Sequence, residues 1–336
     1  METLIDQVAS SYAQTGSNKE RKLPKENKVL FPKGQEAAFF MMINAVLKNL
    51  QRELSQEVEN QGRFRYRGDS LNEDNLDEWL ANVSSYNNLV NRSFDKALLN
   101  RLLFRFQRNL IKFNAKQVKK SYEKFSGVDL LAYSDDIIET TRAQTESSIA
   151  AIQELGDDIK TKLEKQVFAG MRDGMRHEDL VKRIQASLKG NKGIFKSVKK
   201  RAKLIARNEV SSFNGALTKK RNENLGIKFY EWQAIDDDRV RKEGGRNGKP
   251  SKTNHLAMSG HIFPWGNNKA TITVDGKKYS FKPAPKGIFG DTMYPGSEIN
   301  CRCAAKAVLT RRLEEKIRVL AKTKSPKEVV RELQGF

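Results

Sequence analysis

His255, His261, Cys301 and Cys303 are the side chains of this 336-residue sequence best suited to hold a metal ion or to act as nucleophile and base. Thiolates and imidazoles are the donors zinc prefers. A tetrahedral site on His255, Cys301 and Cys303 would staple a loop-rich region that has little core of its own. One residue between the thiols is a tighter bite than the two to four usual in structural zinc sites, and the alternative is a pair of small buried thiols with a histidine capping a loop. Two cysteines this close make no disulfide framework, which leaves free thiols, a metal site or a strained local bridge. Nothing marks the third, orienting group that a Cys–His nucleophile needs. A second group, Asp236-Asp237-Asp238-Arg239-Val240-Arg241, is followed by the glycine-rich run Lys242–Pro250. Adjacent carboxylates collect a divalent cation or serve as turn and cap residues, and the loop lacks the fixed spacing of a nucleotide-binding motif. No cofactor follows from these residues with certainty, and zinc is the candidate.

These groups must be positioned by elements that the prolines and the apolar spacing delimit. None of the 8 prolines lies between Lys33 and Lys249, which permits a largely helical span. The spacing predicts a helix from Gln35 to about Glu59 on Phe39, Met42, Val46 and Leu50, and a long one from about Phe94 to Phe125. Ser134-Asp135-Asp136 caps a helix running along Ile138, Ile149, Ile152, Leu155, Ile159, Leu163 and Val167, with Gly170 and Gly174 closing it. Further helices are predicted from His177 through Leu188 and from Lys199 to about Asn224, the last ending at Gly226. After Gly226 the pattern turns to strands. Ile227–Ala234 is β-branched and aromatic, and Asp275-Gly276 joins Thr271–Val274 to Lys277–Phe281 as a hairpin that pairs Ile272 with Tyr279 on one face. Helices from Arg311 to Leu320 and from Pro326 end the chain. The expected fold is α+β, a largely helical N-terminal two-thirds followed by a small, mixed, loop-rich domain with a β-hairpin. The expected parts are a flexible arm over 1–32, a helical domain with basic faces over 33–190, a mixed domain over 191–310 and a helical tail over 311–336.

Lys and Arg number 62 against 41 Asp and Glu, a formal charge of +21. From Lys96 to Tyr122 there are eight Lys and Arg and no acid, and from Leu180 to Asn208 ten and again none, so these two stretches hold 18 of the 21 excess charges. In the first, Arg101, Arg105, Arg108, Lys112, Lys116 and Lys119 recur every three or four residues opposite an apolar face of Leu99, Leu102, Leu103, Phe106, Leu110 and Phe113. In the second, Lys196, Lys199, Lys200, Arg201 and Lys203 cluster. Such faces are either solvated helix surface or contacts to a polyanion. Neutralising phosphates releases condensed counterions, so contact with double-stranded DNA would be sequence-tolerant and salt-sensitive. No stretch has the roughly 20 apolar residues that span a bilayer, and the first residues lack a signal-peptide pattern, so a soluble protein beginning in the cytoplasm is expected.

Read in order, Ile205-Ala206-Arg207-Asn208-Glu209, Gly226, Tyr230-x-Trp232, Asp237-Asp238-Arg239-Val240-Arg241, His255, Gly260, Pro295-Gly296 and Asn300-Cys301-Arg302-Cys303 resemble the phage head morphogenesis family, the Mu F-like minor head proteins. The family pattern is an Ala-Arg-Thr-Glu helix, a Gly, a strand with Trp, Asp-x-Arg-x-Arg, a His, then Pro-Gly and Asn-Cys-Arg-Cys. Asn208 departs from it, and the insert between Gly260 and Pro295 falls where members vary in length. The resemblance covers about residues 198–310, and Val167–Leu188 is similar to the segment that precedes this domain in the family. It implies a low-copy virion component, in the capsid interior or at the portal vertex, that joins the head in the host cytoplasm. Its implied partners are the portal protein, packaged DNA and scaffolding or major capsid protein, with effects on DNA packaging or ejection, no membrane during assembly and no established catalysis.

On a helix, Arg207 and Glu209 lie two residues apart and face different ways, so Glu209 is expected to hold an arginine such as Arg239 or Arg241 and not to act as a base. A rival reading is a metal-assisted nuclease or toxin-like enzyme using His255 with Asp237 or Asp238. A third is a host nucleic-acid-binding regulator, which would bind one sequence tightly.

Overall fold

A computed structural model describes residues 29–61, 73–126, 136–189, 193–234, 254–287 and 290–335. Its helices are α1 (Lys33–Gln61), α2 (Glu73–Ser93), α3 (Lys96–Ser126), α4 (Ile138–Arg172), α5 (His177–Lys189) and α6 (Ile194–Asn224). Strands β1 (Phe229–Gln233), β2 (Ile262–Pro264), β3 (Ala270–Val274), β4 (Lys277–Phe281) and β5 (Ala304–Val308) follow, and then α7 (Thr310–Leu320) and α8 (Pro326–Gln334). The fold is α+β, as the sequence implies. Contacts gather the chain into two compact units: a helical unit from Gly34–Gln107 and Gln144–Glu209, and a sheet unit from the described parts of Met1–Lys33, Arg108–Ala143 and Val210–Phe336.

The helical unit is built from repeating apolar rows. Phe39, Ile43, Leu47, Leu50, Leu54 and Val58 of α1 are buried, as are Ile149, Ile152, Leu155, Ile159, Leu163 and Val167 of α4. The α1 face is rotated from the predicted one: Met42 and Val46 sit half-buried on its flank. The apolar arc of α1 is wide enough to contain both rows, so spacing alone does not choose between them. The helix predicted from Lys199 begins at Ile194, because Ile194, Phe195 and Val198 are buried. Gly174, at φ +63, ends the α4 segment, with its N–H bonded to Met171 O and that of Met175 to Gly170 O. Gly170 does not close the helix. It lies inside α4, where an added Cβ would come within 2.4 Å of Leu180 Cδ1, so it is the place at which α5 approaches.

In the sheet unit α6 ends at Gly226 (φ +74), with Gly226 N–H bonded to Glu223 O and Ile227 N–H to Asn222 O. β1 then forms the middle of a three-stranded antiparallel sheet in the order β2-β1-β5. Tyr230 lies opposite Phe263 on one side and Ala307 on the other. Because side chains alternate, β1 serves two cores. Phe229, with Ile262 and Val308, packs with the hairpin residues Ile272, Val274, Tyr279 and Phe281 and with Leu313, Ile317 and Val329 of α7 and α8. Tyr230 and Trp232 pack on the other face with Phe263, Met258, Met293, Cys301 and Cys303. The hairpin has the expected register, Ile272 opposite Tyr279, with Asp275 and Gly276 both at positive φ.

Residues 29–32, assigned to the flexible arm, are in contact with this unit. Val29 N–H donates to Gln233 Oε1 (3.3 Å), Leu30 N–H donates to Gln117 Oε1 (2.7 Å), and Phe31 is buried beneath the Arg302 guanidinium, 5.4 Å from its ring centre. Residues 1–28 lie outside the described residues.

Candidate functional site

Asn300 takes a left-handed backbone (φ +61), a conformation asparagine tolerates, and delivers the chain into an extended run that leads to β5. In an extended chain alternate residues share a face, so Cys301 and Cys303 both turn into the core while Arg302 turns outward to Phe31. The one-residue spacing that looks tight in sequence thus places two thiols side by side. His255 enters from the loop before β2, its ring 5.2 Å from that of Trp232 in an edge arrangement. Cys303 Sγ lies 3.7 Å from His255 Nδ1, and one donor atom from each of His255, Cys301 and Cys303 falls within 4.8 Å of the others. All three are buried. Hydrogen bonding with Cys303, the neighbouring His255 and the N–H of Gly296 (3.4 Å to Sγ) hold the Cys301 thiol well below the usual thiol range, against the opposing effect of burial. His261 is not part of this cluster. Its ring lies against Gly335, where an added Cβ would come within 2.4 Å of it.

The Pro295-Gly296 motif fits against α6. A Cβ on Gly296 (φ +96) would come within 2.5 Å of Ser211 O, and one on Gly215 within 2.5 Å of Pro295 O. Ser211 donates its hydroxyl to Cys301 O. Neither Ser211 nor Gly215 was singled out from the sequence. The available signal was a glycine in the interior of an otherwise regular helix, which marks close backbone approach.

The Ala-Arg-Asn-Glu segment of α6 lies at the end of the helical unit. Ala206 is buried; Arg207 Nε donates to Glu36 of α1 at 3.4 Å; and Glu209 Oε2 accepts from Gln144 Nε2 (2.8 Å) and Ser148 Oγ (2.7 Å) of α4. Arg207 and Glu209 do face different elements. Among the described residues the partners of Glu209 are uncharged donors, and burial raises its pKa above the ordinary range; Arg239 and Arg241, the arginines expected to pair with it, lie outside those residues. Asp237, Asp238, Arg239 and Arg241 lie outside the described residues.

Arg101 and Arg105 in the helical unit, and Arg108, Lys112, Lys116 and Lys119 in the sheet unit, are exposed, and none is ion-paired among the described residues. In the helical unit Lys189, Lys196, Lys199, Lys200 and Lys203 line a groove of about 460 Å³ floored by Phe40, Leu188 and Phe195. Lys203 Nζ lies 5.3 Å from the Phe40 ring centre. Lys189 is ion-paired with Glu59 (3.1 Å), and Arg201, beside the other lysines, is ion-paired with Asp158 (2.5 Å) and Glu154, the Asp158 hydrogen bond raising its pKa.

Among the described residues no helix is long and apolar enough to cross a membrane. No solved structure matches the chain. An uncharacterized protein of Haemophilus influenzae is 31% identical over 199 residues, which make up 58% of this chain and 36% of that protein, so the chain spans little more than a third of that relative's length. The pattern of the family described as Phage Mu protein F like protein matches residues 161–306. The motif series from Ile205 to Cys303 lies wholly inside that match, so residues 161–306 are similar to the Phage Mu protein F like proteins.

Proposed function

We propose that the protein is a minor head component of a tailed phage that docks at the portal vertex and contacts packaged double-stranded DNA without sequence preference. The observations that carry the DNA contact are, in the sheet unit, the exposed Arg108, Lys112, Lys116 and Lys119, free of ion pairs among the described residues, and, in the helical unit, the exposed Arg101 and Arg105 and the lysine-lined groove. Charges already satisfied within the protein have little to offer a phosphate, whereas unpaired cations on regular helices exchange condensed counterions at each contact. Docking to portal, scaffolding or major capsid protein rests on the family relationship.

An enzymatic reading has less support. His255 is 2% exposed and packed against Trp232, which keeps a polymeric substrate from its ring nitrogens.

Co-expression with the portal protein of the same phage, followed by affinity capture, tests the proposal. Capture of both proteins, together with plasmid binding that weakens steeply with salt, is the expected result. Failure to associate at any salt concentration removes the portal reading. Plasmid cleavage in Mg²⁺, Mn²⁺ or Zn²⁺ that is lost on His255→Ala would favour the enzyme.

A further inference from the structure

We propose that His255, Cys301 and Cys303 ligate a structural zinc ion that clamps the two flanks of β1 together. Zn–S bonds of about 2.3 Å and Zn–N bonds of about 2.0–2.1 Å at tetrahedral angles put a sulfur and a nitrogen roughly 3.6 Å apart and two sulfurs roughly 3.8 Å apart. The 3.7 Å from Cys303 Sγ to His255 Nδ1 fits the first spacing, and the 4.8 Å envelope of the three donor atoms leaves only small side-chain rotations to complete the second.

Burial favours a metal over free thiolates. The cluster sits among Trp232, Tyr230, Phe263, Met258 and Met293, where an isolated anionic sulfur is costly to desolvate. Two thiolates cancel the charge of Zn²⁺, so the loaded site is neutral and tolerates that setting. The Gly296 N–H directed at Cys301 Sγ supplies the outer hydrogen bond that zinc thiolates commonly receive.

The location gives the ion its task. His255 lies in the loop leading to β2, and the two cysteines lead into β5; β2 and β5 are the two neighbours of β1. A shared ion fixes both neighbours against the central strand from one end. Three protein donors are in place here, and water or a further donor takes the fourth position of the tetrahedron.

The test uses the full chain purified without chelator. One zinc per chain is expected by elemental analysis. Metal-free protein titrated with Co²⁺ should develop the ligand-field bands of a tetrahedral ion and a thiolate charge-transfer band, both displaced by Zn²⁺. Cys303→Ser should lose the charge-transfer intensity of one thiolate and bind zinc at least tenfold more weakly. Because that variant can disturb the sheet, X-ray absorption of the zinc-loaded wild type provides a second reading, with two sulfur neighbours at about 2.3 Å. Substoichiometric zinc with no cobalt–thiolate band from protein whose thiols are reactive overturns the proposal. So does a Cys301–Cys303 disulfide found by mass spectrometry in freshly purified protein.

Discussion

The Ser148 hydroxyl donates to Glu209 Oε2 at 2.7 Å, so α4 meets the carboxylate of α6 with a neutral partner and not with a cation. Gln144 does the same at 2.8 Å.

Burial raises the Glu209 pKa, and the hydrogen bonds from Ser148 and Gln144 only partly oppose that effect. A carboxyl whose folded pKa exceeds its unfolded one binds more protons when folded, so its contribution is most favourable at acid pH and declines as pH rises through the raised pKa. Glu209→Gln should therefore equal or exceed the wild type in thermal stability at neutral pH, and that advantage should shrink as the pH falls into the ordinary carboxylate range. A variant markedly less stable than wild type at neutral pH would show that the ionised carboxylate is held by a cation.

Gly296 and Gly215 are the points at which the Pro295-Gly296 loop touches α6. Gly215→Ala forces a Cβ onto a backbone carbonyl and should cost about 1–3 kcal/mol through overpacking. Gly296→Ala adds the strain of a left-handed backbone, about 1–2 kcal/mol more. Gly260→Ala is the control. Gly260 has φ +85 but nothing within 4 Å of an added Cβ, so only the backbone strain applies. Urea denaturation should rank the three with Gly296→Ala least stable.

The buried Gln334 of α8 joins the two sheets. Its Nε2 donates to Lys282 O (2.8 Å) and Ile262 O (3.3 Å), and its Oε1 accepts from Lys282 N–H (3.0 Å). Gln334→Leu fits apolar surroundings but leaves those backbone groups without their partner, at about 1–3 kcal/mol for each one left unsatisfied. Hydrogen exchange should show faster exchange at the Lys282 amide than in wild type, with the helical unit unchanged.

If the lysine groove binds DNA, Lys196→Gln, Lys200→Gln and Lys203→Gln together should flatten the dependence of log K on log salt by roughly 0.9 for each phosphate contact removed. Arg201→Gln should change that slope little, because Arg201 is committed to Asp158 and Glu154. Fluorescence anisotropy on two unrelated duplexes would measure both effects, and a strong preference for one duplex would contradict non-specific contact.

The sequence was most informative where interactions are local. Asp275-Gly276 fixed the hairpin register because a two-residue turn leaves one pairing, and Gly226 marked the end of α6 because only a left-handed residue closes it that way. β5 was hidden. Ala304-Ala305-Lys306-Ala307-Val308 has the composition of a helix and becomes a strand only because β1 pairs with it. The His255, Cys301 and Cys303 candidates came from residue type alone. Their convergence depends on an extended backbone after Asn300 and on a loop contact 48 residues away in sequence, neither of which leaves a local pattern.

The middle position of β1 also sets a timetable for synthesis. Both of its neighbours come later in the chain, and its Glu231 finds Lys306 only across 75 residues. At a typical 5–20 residues per second that separation is about 4–15 s of translation, during which the helices, with their local contacts, can form as they emerge. Until β2 is made Tyr230 and Trp232 have no sheet to join, and until β5 is made they have only that 3-residue strand. Slowing the ribosome between codons 234 and 304 should therefore increase aggregation of the nascent chain more than slowing it within α4.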